Sequence, residues 1–218
     1  MGWGPLRGRG GTVPPGSHQR APLLPPFYWL GTAQFHCLLP LRSLPAAGTN
    51  SLAAEAALGA ALEALGTAVE LDPHHAESHA LLGTLLGMKI DGNPLRALRF
   101  GPRLGQHRKA AIQYGAGNPR VQYLLGTCQF HTAHKPQAFR EALGSFLAAE
   151  ELFVAEAGRP AGPLEPKWGY SSCLTFIGRT CERLGERERA AEYFRKALVQ
   201  HPADHLAADG LARILGPQ

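Results

Sequence analysis

A chain of 218 residues, 44% hydrophobic and 18% charged, holds enough apolar material for one sizeable core or one repeat array, which excludes a wholly disordered chain. Six of its 26 glycines and six of its 18 prolines fall in the first 26 residues, and the last fifty hold few. The net charge of +5 is uneven: residues 1–26 carry three arginines and no acid, 27–75 sum to −3, 76–121 to +5 and 122–218 to zero. A positive field confined to the tail and one central segment attracts acidic partners or nucleic acid, and is also what ordinary solvated surface looks like. Cys37, Cys128, Cys173 and Cys181 form no C-x-x-C pair, and on one helix Cys173 and Cys181 are separated by roughly 12 Å of rise, beyond disulfide reach. All four are expected as small buried thiols, which identifies no compartment.

No stretch is expected to approach the roughly twenty apolar residues a membrane helix needs. The most apolar run, FYWLGTAQFHCLLPL at 27–41, is interrupted by Gln34, His36 and Pro40 and lies too far from Met1 to read as a secretory signal. The expectation is a cytoplasmic chain as given, exported only if the true start differs.

Residues 1–26 show no hydrophobic periodicity and are expected to be a disordered Pro/Gly/Arg-rich tail, with an ordered domain over 27–215. Leu52–Leu71 reads as a helix with Leu58, Ala61, Leu62, Leu65, Ala68 and Val69 on one face, stopped by Asp72-Pro73. A second helix spans Ala76–Met88 and ends at Asp91-Gly92-Asn93-Pro94. Pro94–Arg99 is a short helix, Gly101-Pro102 a break, and 103–114 a further helix. Asn118-Pro119 starts the next, to about His131, with Asn as cap and Pro in the first turn. Gln137–Ala157 follows, then a Pro/Gly loop at 158–168, helices near 169–184 and 186–200, and a short one near 203–215. No alternating strand pattern occurs, so the expected fold class is all-α.

The clearest repeated unit spans 171–202. Leu174, Ile177, Gly178 and Cys181 share one face of its first helix, Gly185 makes the turn, Ala190, Phe194 and Ala197 share a face of its second, and Pro202 closes it. Gly178 and Ala190 are small where helices cross, Phe194 fills the gap to a neighbour, and Ala197 admits the next helix. This unit resembles the tetratricopeptide repeat, departing at Cys181, where an aromatic is usual. Weaker copies precede it: Ala61, Leu65, Ala68 and Pro73; His79, Leu82, Gly83 and Leu86; Leu125, Gly126 and Phe130 with Ala142, Phe146 and Ala149; and Leu30-Gly31. Spacing is irregular, with an excess around MKIDGNPLRALRFGPRLG. That insertion, together with NPRVQYLLG and PLEPKWG, is similar to a group of bacterial repeat proteins of undefined function. The resemblance implies an α–α superhelix of about four irregular helix pairs and a binding role without a reaction. It also implies a groove, lined by the first helices, that takes up a partner peptide or helix.

Within that reading the groove residues are His79, Gln122, Gln129, Tyr170 and Arg179. Arg96, Arg99 and Arg103, in the insertion 89–109, form a candidate anion site, with Arg96 and Arg99 sharing a face while Leu95 and Leu98 pack inward. His74, His75 and His79 invite a metal, but no local carboxylate or cysteine completes a set, so neither metal nor cofactor is expected. Cys128 and His131 are one turn apart without an orienting acid, and no nucleophile motif or phosphate loop occurs. The functional expectation is therefore a non-catalytic protein-interaction scaffold. The alternatives are an anion- or small-ligand-binding or catalytic protein using the arginine-rich insertion, and a structural spacer in a larger assembly. Nucleic acid lacks an aromatic-interleaved recognition motif.

Overall fold

The computed structural model describes residues 24–43, 49–160 and 162–216; among them nine α-helices and no strand occur, as the all-α reading requires. The helices are α1 (Leu24–Ser43), α2 (Thr49–Leu71), α3 (Ala76–Ile90), α4 (Pro94–Gly115), α5 (Pro119–Thr132), α6 (Pro136–Ala157), α7 (Tyr170–Leu184), α8 (Arg187–Gln200) and α9 (His205–Leu215). Most of the expected tail, residues 1–23, lies outside the described residues; Pro25 and Pro26 sit in the first turn of α1, where a missing N–H costs nothing.

Successive helices pack as antiparallel pairs: α1 on α2, α3 on α4, α5 on α6, α7 on α8, with α9 closing the last pair. The first helices also touch in order, α1 to α3, α3 to α5, α5 to α7 and α7 to α9, so they form one continuous inner row. Glycine sets these crossings. A Cβ on Gly178 would lie 2.7 Å from the ring of Phe194, one on Gly126 2.7 Å from Phe146, and one on Gly210 2.4 Å from Phe194 again. Phe194 is thus seated against both α7 and α9, and Ala142, Ala149, Ala190 and Ala197 are fully buried around the two phenylalanines. Thr32, Thr84 and Thr127, each directly after one of the inner-row glycines, donate to the carbonyl four residues back, so their buried hydroxyls are satisfied within the helix.

Helix starts follow local side-chain chemistry. Asn93 and Asn118 each accept two backbone N–H groups ahead of a proline, and Asp204 caps α9. His75, noticed in the sequence as a possible ligand, caps α3 instead: its Nδ1 accepts the N–H of Ser78.

Four expectations need correction. Pro102 does not break the chain; α4 runs unbroken through it. The carbonyl it leaves unpaired belongs to Leu98, and both residues face solvent, so water satisfies that group while Leu104, His107 and Ala111 hold the other side on α3. Leu95 and Leu98 do not pack inward but are 79% and 80% exposed, because the side of α4 facing α3 is set by Phe100, Leu104 and Ala111, roughly opposite on the helical wheel. Cys37 is exposed and Cys128 half-buried, leaving Cys173 and Cys181 as the buried thiols. Burial holds the Cys173 thiol far above its ordinary range and pushes Cys181 up to about 12, so both stay protonated. Finally, Ser51–Leu71, with a mean hydropathy of 1.4, is long and apolar enough to cross a membrane. Its alanines raise hydropathy without bulk. Here one side, with Leu58, Ala61, Leu65 and Ala68, packs on α1 and α3, while Glu55, Glu63 and Glu70 are exposed along another.

Candidate functional site: the inner face of the array

The connection from α6 to α7 turns back across the row of first helices. Trp168 at its end lies 5.3 Å ring to ring from His36 and 6.4 Å from Phe35 on α1, and 6.5 Å from Tyr123 on α5; its Nε1 donates to Tyr28 Oη at 2.9 Å. Because α3 stands between α1 and α5 in the row, a side chain touching both spans the inner face. The connection is a strap over that part of the face.

A buried polar network fastens it. The Tyr28 hydroxyl donates to Glu77 Oε2, and Asn118 Nδ2 donates to Glu77 Oε1 at 2.8 Å. Arg120, 2% exposed, places its fork on Glu156 at 2.8 and 2.6 Å and also donates to the Pro166 carbonyl. Its guanidinium lies over Phe153 and Trp168 at 5.6 and 5.9 Å, with Glu77 3.7 Å away. Burial opposes the charge on Arg120, yet the bonds to Glu156 and the fields of Glu77 and Glu156 hold its pKa above the ordinary range. Burial, then Glu77, pushes the Tyr28 phenol far up, so it remains a donor. A polar cavity of about 250 Å³ stays open between Arg120, Glu156, Arg159 and Glu165.

Beyond the strap, toward α9, the inner face has a different lining. Arg179 on α7 lies 5.0 Å over the ring of Phe130 and 4.9 Å over Phe176, while Arg183, one turn on, lies 5.8 Å over Phe139. His131 packs edge-on against Phe176 at 5.8 Å. Burial and then the charges of Arg179 and Arg42 lower the His131 pKa, so the imidazole is neutral at pH 7. Arg179 is itself lowered by burial and by Arg183 and Arg213, with Glu182 and Tyr123 acting the other way.

Of the sequence-derived groove residues, Arg179 lies at this open end. His79, Gln129 and Tyr170 turn toward second helices: His79 Nδ1 is 2.9 Å from His107 Nδ1 of α4, Gln129 Oε1 accepts from Ser145 of α6, and Tyr170 packs on Phe153 of α6. Gln122 donates to the Ala116 carbonyl in the preceding turn. Arg96 donates to the Lys89 carbonyl at the end of α3, Arg99 lies against Phe100, and Arg103 is exposed further along α4. Cys128 approaches Thr84 rather than His131. Sequence reasoning passed over Tyr28, Glu77, Arg120, Glu156 and Trp168. The segments NPR and PLEPKWG were noticed as signatures, but Tyr28 and Trp168 are 140 residues apart, and nothing local connects them.

Residues 172–214 match the family model of the tetratricopeptide repeat, over the unit in which Gly178, Ala190, Phe194, Ala197 and Pro202 recur at the expected positions. Stacked helix pairs with a continuous inner row define a helical-repeat fold, and residues 172–214 form a tetratricopeptide repeat within it. Among solved structures it is similar to Pseudomonas aeruginosa PilF, with a TM-score of 0.54 at 18% identity over 87% of this chain and 69% of that one. A structure of MamA gives a TM-score of 0.47 at 18% identity, over 78% of this chain and 84% of that one. The likeness to PilF is one of fold. No curated protein sequence matches the chain.

Proposed function

We propose that the protein is a non-catalytic interaction scaffold that takes up a segment of another protein on its inner face, between α5 and α9. One observation carries this reading: the neighbouring part of that same face already holds a proline-rich segment, the chain's own strap, through an inserted tryptophan and an arginine-bound carbonyl. Repeat arrays use such extended surfaces for binding. The stretch beyond the strap offers phenylalanine rings, half-buried at Phe176, beside arginine forks.

Site-specific photocrosslinking tests the reading. A benzophenone amino acid replacing Arg183, on the inner face, is expected to trap a discrete partner in the source cell, and the same group replacing Arg195, exposed on α8, is not. Identical adducts from both positions, or none from position 183, overturn the assignment to the inner face.

A further inference from the structure

The open end of the inner face gathers positive charge from three helices. Arg179 and Arg183 come from α7, Arg42 from the end of α1, and Arg213 from α9; the fields of Arg42 and Arg179 both reach His131 on α5, and that of Arg213 reaches Arg179. The acids among them are already engaged: Asp91 takes Arg42 at 3.0 Å, and Glu182 takes both nitrogens offered by Arg213 at 3.0 Å. Arg179 and Arg183 are left with no hydrogen-bond acceptor among the described residues, and their guanidinium groups rest on Phe130, Phe176 and Phe139. Arg179 is half-buried and Arg183 exposed, and a guanidinium without an acceptor presents an unused, planar set of donors whose geometry matches a carboxylate.

This inference rests on the scaffold reading and names the partner's chemistry. We propose that the open end of the inner face binds an acidic peptide segment, its carboxylates held by Arg179 and Arg183 and its apolar side chains laid along the ring edges of Phe176 and Phe139. Charge complementarity argues for the acid, and the aromatic floor argues for a peptide. A nucleic acid needs open ring faces for its bases to stack on, whereas Arg179 covers Phe130 and Phe176, and Phe176 is also stacked on Phe146 at 5.6 Å. The strap supplies the neighbouring precedent: Arg120 there engages a carboxylate and a peptide carbonyl at once.

The test is an array of immobilised decapeptides on shared frameworks containing Leu or Phe, with the variable positions filled by Glu, Gln, Lys or phosphoserine, probed with the full chain. Glu peptides are expected to retain the protein about tenfold more than their Gln or Lys counterparts, and phosphoserine no more than Glu. Arg179→Met, which keeps an apolar cover over the rings, is expected to remove that preference while the thermal midpoint stays close to that of the wild type. Equal retention on Glu and Lys peptides, or a preference untouched by Arg179→Met, overturns the acidic assignment and leaves the scaffold reading standing. A stronger response to phosphoserine transfers the site to phosphate and overturns the carboxylate assignment. Retention on no peptide at all overturns both readings.

Discussion

Gly178 and Gly59 are both helical glycines with no side chain to lose, yet alanine acts on them in opposite directions. At Gly59 nothing lies within 4 Å of the added methyl, so Gly59→Ala is expected to stabilise the fold by about 0.5–1 kcal/mol through backbone entropy alone. At Gly178 the methyl would meet the buried ring of Phe194, and overpacking outweighs that gain, so Gly178→Ala is expected to cost about 1–2 kcal/mol. Urea midpoints for the two variants check both signs. His107 gives a pH signature. The Pro73 carbonyl only accepts, so His79 Nε2 carries its proton, and the 2.9 Å contact between the two Nδ1 atoms must then be donated by His107. Burial, then His79 and Arg103, lowers the His107 pKa from 6.5 to about 4. Between those values the unfolded chain binds a proton that the folded chain refuses, so stability falls as pH drops from 6.5 toward 4 and levels off below. Thermal midpoints across that range should fall less in His107→Gln than in the wild type. At this scale the repeat glycines were readable because their spacing is local, whereas the histidine pair was not, because its partners are 28 residues apart.

At the scale of elements, α2, α3 and α5 to α9 were legible from caps, prolines and periodicity, within one to three residues at most ends. The failure at α4 has a physical cause. An interior proline loses one hydrogen bond and crowds the carbonyl four residues back; at Pro102 both fall on the solvent side, while the opposite side of α4 is held on α3. The strap was invisible because a Pro/Gly segment carries no period, and its role depends on residues of α1 and α5 that meet it only after folding. Two predictions belong here. Arg120→Met leaves Glu77 and Glu156 without their cation and is expected to cost about 3 kcal/mol, read by chemical denaturation. Trp168→Ala is expected to leave the helix content intact by circular dichroism but to release the strap, so that trypsin cleaves after the exposed Lys167 several times faster than in the wild type. Unchanged cleavage would show that the tryptophan does not fasten the segment.

For the molecule as a whole, the array is irregular in a way that explains what a repeat pattern can find in it. The glycine and the phenylalanine it meets are sixteen residues apart at 178 and 194 but twenty apart at 126 and 146, one helical turn more. Fixed spacing therefore reads the last unit, residues 172–214, and slips out of register before it. Charge also acts at this scale. With cations from several helices facing one end of the inner face, capture of an acidic segment should weaken steeply between about 50 and 500 mM salt, as screening shortens the reach of the field; titration of a labelled Glu/Leu peptide at the two concentrations measures it. Helical arrays of this kind ordinarily flex like a spring, each pair adding a little bend. Here Trp168 is wedged between the first and third pairs like the keystone of an arch. The jaw that remains beyond it has a preset width, so a guest spends little on reshaping its host, and selectivity comes from fit rather than from closure.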